Sequence, residues 1–289
     1  MTRPHPLCNA PETLRVARGG QTMTERITIP QLQRMKHDGQ KMVVMTAYDY
    51  SLARIVDRAD VEMVLVGDSG ARYALGHADG NAMTMDEMVL LARSVRRGVR
   101  RALVVGDLPF LSYQVTVEEA VRNAGRLVKE AGVDAVKLEG GEAFAPTVQA
   151  IVRAGIPVMG HMGLTPQTTI AVGGYASPDA AVSDEQIRRD AFALQEAGAF
   201  SLVFTRVPPP LAATLTRELR VPTLGGGGSG DDCDGQVCVL HNVFGLSVDR
   251  LEAPPSAYGP LARPIFDAAL SFVADVRAGK PVRSQRESE

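Results

Sequence analysis

Val64-Leu65-Val66-Gly67-Asp68-Ser69 is a short apolar run that stops at a carboxylate and a hydroxyl. A run this short, closed by glycine, predicts a buried strand with its polar pair where the strand leaves the sheet. The same ending recurs twice. Leu103-Val104-Val105-Gly106 runs into Asp107, and Ala135-Val136-Lys137-Leu138 runs into Glu139-Gly140-Gly141. Outward from these, apolar runs at Met42–Met45, Ile156–Met159, Ser201–Phe204, Val221–Leu224 and Val243–Leu246 bring the number of predicted strands to eight. Helical stretches separate them. Thr28-Ile29-Pro30, Thr84 and Thr116 offer N-caps, while Gly98 and Gly132 offer stops. Further helices are expected over about 50–59, 142–154, 184–197, 209–220 and 260–278, with a short one at 234–240. Eight strands alternating with helices predict an α/β fold, a (β/α)8 TIM barrel preceded by an N-terminal helix. An open doubly wound sheet competes, but no Gly-rich fingerprint follows the first strand to support it.

The chain has 289 residues, a length that one such barrel fills. Residues 24–280 are therefore read as one domain, with 1–23 as a disordered extension and 281–289 as a frayed tail. A formal charge of −2 gives no electrostatic case for nucleic acid or an anionic membrane. No apolar run approaches the roughly 20 residues that span a bilayer. Cys8, Cys233 and Cys238 are scattered and odd in number, which fits a reducing cytoplasm better than a disulfide framework or a zinc site.

In a barrel all strand ends meet on one face, so Asp68, Asp107, Glu139, His161 and Thr205 converge at its mouth. Each acid also has a bland reading, as a turn cap or a solvated loop residue. Three acids at one mouth repel each other unless a cation joins them. Oxygen-only donors with room for water suit Mg²⁺. Lys137 alternates with Leu138 and points into the barrel, either as a counter-charge or as a grip on an anionic substrate. Such a site fits the chemistry of a 2-oxo acid, whose enolate a bound Mg²⁺ stabilises.

These residues carry a resemblance. Thr46-Ala47-Tyr48-Asp49-Tyr50-Ser51, Val66-Gly67-Asp68-Ser69, Gly106-Asp107-Leu108-Pro109-Phe110, Val136-Lys137-Leu138-Glu139-Gly140-Gly141, Gly160-His161-Met162-Gly163-Leu164-Thr165-Pro166-Gln167 and Gly173-Gly174-Tyr175 occur in order. From about Ile27 to Gly245 the chain resembles the ketopantoate hydroxymethyltransferases of the phosphoenolpyruvate/pyruvate barrel superfamily. The resemblance implies transfer of a hydroxymethyl group from 5,10-methylenetetrahydrofolate to 3-methyl-2-oxobutanoate with Mg²⁺. It implies that Asp68, Asp107 and Glu139 serve the metal directly or through water, that Ser69 and Lys137 hold the oxo acid, and that His161 lies beside it. It also implies a homo-oligomer, a decamer built from pentameric rings.

The departures gather at the same mouth. The family's glutamate after the sixth strand, its proposed base, is matched by Thr205, and threonine is no carboxylate base near neutral pH. Gly70-Ala71-Arg72 follows Asp68-Ser69 where the family has Leu-Gly-Met. Leu91 stands for a histidine, His241-Asn242 for His-Asp, and Gly225–Gly230 for a Gly-Ile-Gly-Ala-Gly loop. Pro254–Tyr258 replaces a basic, aromatic tail motif. Arg72 and Arg206 could accept a further carboxylate or phosphate, or could simply be solvated. Three functions compete: hydroxymethyl transfer with a different base, such as His161 or a water; another C–C bond reaction of a 2-oxo acid; and non-catalytic binding.

Overall fold

The structure, a computed structural model, describes residues 25–174, 182–247, 251 and 258–281. The extension expected over 1–23 and nearly all of the tail expected over 281–289 lie outside the described residues. Eight parallel strands close into a barrel in sequence order. They are β1 Met42–Thr46, β2 Met63–Val66, β3 Leu103–Asp107, β4 Ala135–Glu139, β5 Val158–Gly163, β6 Ser201–Thr205, β7 Thr223–Gly226 and β8 Gly235–Cys238. The helices are α1 Ile29–His37, α2 Tyr50–Arg58, α3 Gly70–Tyr73, α4 Met85–Gly98, α5 Val117–Arg126, α6 Ala145–Arg153, α7 Asp184–Glu196, α8 Pro209–Glu218, α9 Leu240–Val243 and α10 Ala262–Arg277. The expected N-terminal helix and (β/α)8 architecture are both present.

Strand alternation sorts the core into two layers. Met42, Val44, Met63, Leu65, Leu103, Val105, Ala135, Met159, Val203 and Leu224 fill the barrel interior. Their neighbours in sequence, among them Val64, Val66, Val104, Val136, Leu138, Leu202 and Phe204, pack outward under the helices. Helix α1 plugs the lower end. Its fully buried Leu32 joins the interior layer, and Lys36 Nζ reaches Asp234 Oδ2 at 2.7 Å to tie the plug to the base of β8. The apolar filling therefore starts at the bottom and leaves only the upper end for polar groups.

The expected caps form. Thr84 Oγ1 accepts from Glu87 N at 3.2 Å while the Glu87 carboxylate accepts from Thr84 N at 2.8 Å, a reciprocal capping box. Thr116 Oγ1 accepts from Glu119 N at 3.1 Å. Gly132 ends the α5 region at φ 78°, through a wide turn over Leu127–Ala131.

One strand is corrected. The eighth is Gly235–Cys238, where a short helix was expected, and Val243 ends helix α9 instead of opening a strand. Gly-Gln-Val-Cys carries no apolar run, so its strand character comes from pairing. It lies between β1, with Met42 beside Gly235, and β7, with Leu224 beside Gly235. A Cβ at Gly235 would stand 2.2 Å from Met42 O, so closure of the barrel at this seam requires glycine. Strand β5 also starts later than expected, at Val158, and runs through His161 to Gly163.

Gly235→Ala tests that seam. Overpacking of this kind costs about 1–3 kcal/mol, and the variant is expected to melt several degrees below wild type in a calorimetric scan. An unchanged melting temperature would refute the requirement for close approach.

Candidate active site

The strand tops build the site from two features of the register. Asp107 at the end of β3 lies beside Lys137 on β4, and Glu139 lies beside His161 on β5. All four point inward, since each continues the inward-facing alternation of its strand, and all are buried. Lys137 Nζ is 2.7 Å from Asp107 Oδ1 and 3.8 Å from Glu139 Oε1. His161 Nδ1 is 3.0 Å from Glu139 Oε1 and 3.2 Å from Lys137 Nζ. The closer carboxylate takes a hydrogen bond from Nδ1–H, which leaves the Nε2 lone pair to accept from Thr205 Oγ1 at 2.8 Å.

Asp68 follows β2 and is fixed from two sides. Its backbone N–H donates to Asp107 Oδ2 at 3.1 Å, and its own Oδ2 accepts from Gln167 Nε2 at 3.0 Å. Ser69 Oγ pairs with the Tyr48 hydroxyl at 2.8 Å. Burial pushes the Tyr48 phenol up to about 12, so it stays neutral. These groups surround a cavity of about 420 Å³, which also takes in Arg72 and Tyr73 of α3, Asp79, Gly80 and Asn81 of the following loop, and Gly226 and Gly227 above β7. That volume suits a small substrate and part of a larger one.

The charges do not balance. Three carboxylates face one ammonium. Burial, reinforced by Glu139, raises the Asp68 carboxyl above its usual range. Burial drives Asp107 up to about 7 despite Lys137. Burial disfavours the charge on Lys137, but Asp107, Glu139 and Asp68 together outweigh it and hold the ammonium above its ordinary value. Burial opposes ionisation of Glu139 too, yet His161 and Lys137 keep that carboxyl low. Asp107 Oδ1 is buried against the Lys137 ammonium. Both Glu139 oxygens are occupied, Oε2 by Gln167 N at 3.0 Å and Oε1 by His161. Among the described residues no three His, Cys, Asp or Glu side chains form a closed ligand set.

Comparisons with known proteins show the family. The family model for ketopantoate hydroxymethyltransferase matches residues 26–281. The chain belongs to that family. It is 50% identical over 257 residues to the 3-methyl-2-oxobutanoate hydroxymethyltransferase of Moorella thermoacetica, covering 88% of this chain and 95% of that one. With the enzyme of the same name from Pelobacter propionicus it is 45% identical over 257 residues, covering 89% and 95%. In structure it shares its barrel fold with a phosphonopyruvate hydrolase complexed with oxalate and Mg²⁺, at TM-score 0.60 and 13% identity over 90% of this chain and 92% of that one. A 2,3-dimethylmalate lyase of the phosphoenolpyruvate mutase/isocitrate lyase superfamily gives TM-score 0.57 and 16% identity, covering 90% and 91%.

For this member of the ketopantoate hydroxymethyltransferase family, the structure brings together Asp68, Ser69, Arg72, Asp107, Lys137, Glu139, His161 and Thr205 around one cavity. Arg206 is not among them; it is exposed, with φ 54°, and does not line the cavity. His241 and Asn242 sit behind the rim. His241 stacks on Tyr73 at 5.0 Å between centroids, and Asn242 Oδ1 accepts from the Tyr73 hydroxyl at 2.8 Å. Tyr48, Tyr113 and Gln167 were not singled out by sequence reasoning. Tyr48 and Gln167 lay inside motifs recognised for other residues, and Tyr113 lay in none of them.

The Asp107 shift has a definite pH signature. Its folded pKa stands near 7 against an ordinary 3.8, so its contribution to stability is present below the lower value and is lost as pH rises through the upper one. In protein stripped of divalent cations, wild type is expected to lose stability relative to Asp107→Asn between pH 4 and 8. A difference that does not change with pH, measured by denaturant titration, would contradict this account.

Proposed function

We propose that the chain transfers a hydroxymethyl group from 5,10-methylenetetrahydrofolate to 3-methyl-2-oxobutanoate, or a closely related 2-oxo acid, with Mg²⁺ at the carboxylate mouth. The observation that carries this reading is a buried lysine outnumbered by three carboxylates at the top of a barrel. The excess of hard oxygen donors over the one ammonium fits a divalent cation that keeps several waters. Asp68 and Asp107 would hold it, and Glu139, whose oxygens already accept protein hydrogen bonds, would act through water. When bound, the metal supplies a Lewis acid for the carboxylate and 2-oxo oxygens of the substrate.

The protein's own groups complete the chemistry. Lys137 stays charged between its carboxylates and faces the oxygen on which negative charge develops. Ser69, oriented by Tyr48, offers a hydroxyl to the substrate carboxylate. We assign His161 as the proton acceptor: Glu139 fixes its Nδ1–H, and Nε2 can take the proton once the Thr205 hydroxyl turns its own hydrogen away. Water releases the one-carbon unit of the cosubstrate as formaldehyde and leaves tetrahydrofolate. Removal of the C3 proton then leaves a carbon nucleophile that adds to the formaldehyde carbon, whose oxygen takes up a proton to become the new hydroxyl. Thr205, lacking a carboxylate, holds and hydrates this side of the cavity without taking the proton itself.

A second reading rests on Thr205 and Arg72. With a hydroxyl at the position of the family's glutamate and a guanidinium at the rim, the same metal site could serve a different C–C bond reaction of a 2-oxo acid bearing a second acidic group. The homo-oligomer implied by resemblance is supported by α10, which buries none of its residues while exposing Ile265, Phe266, Leu270, Phe272, Val273 and Val276. A second copy of the chain would cover that stripe. Among the described residues no helix is long and apolar enough to cross a membrane.

Exchange of the C3 proton in D₂O, followed by NMR with Mg²⁺ and 3-methyl-2-oxobutanoate, isolates proton removal from transfer. Wild type should exchange, and His161→Asn should slow exchange by about 10²–10⁴-fold. Exchange that survives in His161→Asn would remove His161 as the base. Exchange without folate-dependent product, together with product formation in Thr205→Glu, would favour the second reading over hydroxymethyl transfer.

A further inference from the structure

The His161–Gln167 motif ends on a residue that the proposed chemistry leaves unused. Gln167, buried at 2% exposure, follows β5 on the loop above the barrel. Its backbone N–H donates to Glu139 Oε2 at 3.0 Å, and its side-chain Nε2 donates to Asp68 Oδ2 at 3.0 Å. One residue thus grips two carboxylates that repel each other. The amide has no freedom to flip. Its second N–H goes to Leu108 O at 3.1 Å, and its oxygen accepts from Tyr113 Oη at 2.8 Å and Gln114 Nε2 at 3.2 Å. Reversal would set the amide oxygen against the Asp68 carboxylate and the Leu108 carbonyl.

Tyr113 backs this arrangement. Its hydroxyl accepts from Glu139 N at 3.1 Å and shares its proton between Gln167 Oε1 at 2.8 Å and Glu139 O at 2.9 Å. The far side is closed as well. Asn81 Nδ2 donates to Gln167 O at 3.0 Å, and the adjacent Gly80 lies against Asp68, where a Cβ would come within 3.3 Å of the Asp68 Cγ. The loops after β2, β3 and β5 therefore converge on Gln167, and through it on the end of β4.

We propose that Gln167 is a positioning residue that sets the relative placement of Asp68 and Glu139, and so makes their oxygens competent for a divalent cation. The inference rests on the reading of the mouth as a metal site. Hydrogen-bond partners behind metal ligands typically carry 10- to 100-fold in affinity. Tyr113 contributes through Gln167 by holding the amide in its orientation.

Mn²⁺ binding to the full-length protein, followed by the electron paramagnetic resonance signal of the free ion, tests this without turnover. Gln167→Met keeps the volume and removes the amide; its Kd for Mn²⁺ should rise about 10- to 100-fold. A rise of less than fivefold in a folded variant, judged by its circular dichroism, overturns the proposal even if the melting temperature falls, because that pattern marks a purely structural role. Should Gln167→Met not fold, Tyr113→Phe decides. A Kd at least threefold above wild type upholds the proposal, and a smaller change overturns it. Wild type that fails to bind Mn²⁺ would overturn both this inference and the metal-site reading, whereas wild type that binds while the variants match it overturns this inference alone.

Discussion

The pairing of Asp107 with Lys137 across adjacent parallel strands is the contact on which the mouth depends. The two groups are neighbours in register and 2.7 Å apart, deep enough that neither is solvated. A buried ion pair is tolerated only where geometry and further hydrogen bonds offset desolvation. Here Glu139 and Asp68 add negative charge, and one ammonium does not neutralise three carboxylates. The site is therefore built to be completed by something positive. A one-residue slip of β4 would turn Lys137 and Glu139 into the outer apolar layer and bring Val136 and Leu138 inside. Barrel closure and site assembly are the same event.

The apolar plug explains why the polar groups collect at one end. Leu32 and the interior layer up to Leu65, Val105 and Val203 fill the barrel below the strand tops with apolar side chains. Charged side chains at inward positions are thus confined to the last residues of β3, β4 and β5. Above them a second tier of neutral donors, Tyr48, Tyr113 and Gln167, satisfies the carboxylate and hydroxyl oxygens. A polar cluster of this kind is stabilising only when nearly every member is paired, and Asp107 Oδ1 has the Lys137 ammonium at 2.7 Å.

The proposed metal and proton functions would fall on opposite sides of the cavity. Asp68 and Asp107 come from the β2 and β3 side, while His161 and Thr205 come from β5 and β6. The departures expected from the sequence fall on both sides, with Arg72 close after Asp68 and Ser69, and Thr205 opposite. The hydroxyl is not idle there, since it completes the hydrogen bonding of His161 Nε2 at 2.8 Å. Under the proposed function the imidazole, instead of a strand-borne carboxylate, would be the basic group.

Much of this was legible in the chain. Apolar runs ending in Asp68, Asp107 and Glu139 identified the strands and the acids at their tips because parallel strands buried on both faces read as continuous hydrophobic segments. Threonine caps and glycine stops marked helices for equally local reasons. Strand β8 was illegible because Gly235-Gln236-Val237-Cys238 has no local strand signal; only the neighbours on either side, and the 2.2 Å approach that excludes a Cβ at Gly235, make it a strand. Gln167 and Tyr113 were illegible as site residues because their partners lie 26 to 99 positions away. Arg72 and Arg206 looked alike in sequence, yet only Arg72 lines the cavity. Sequence by itself determined which chemistry could occur, since residue types at strand ends follow from alternation. Tertiary structure alone decided which groups touch, because hydrogen bonds between loops depend on distances that closure of the barrel creates.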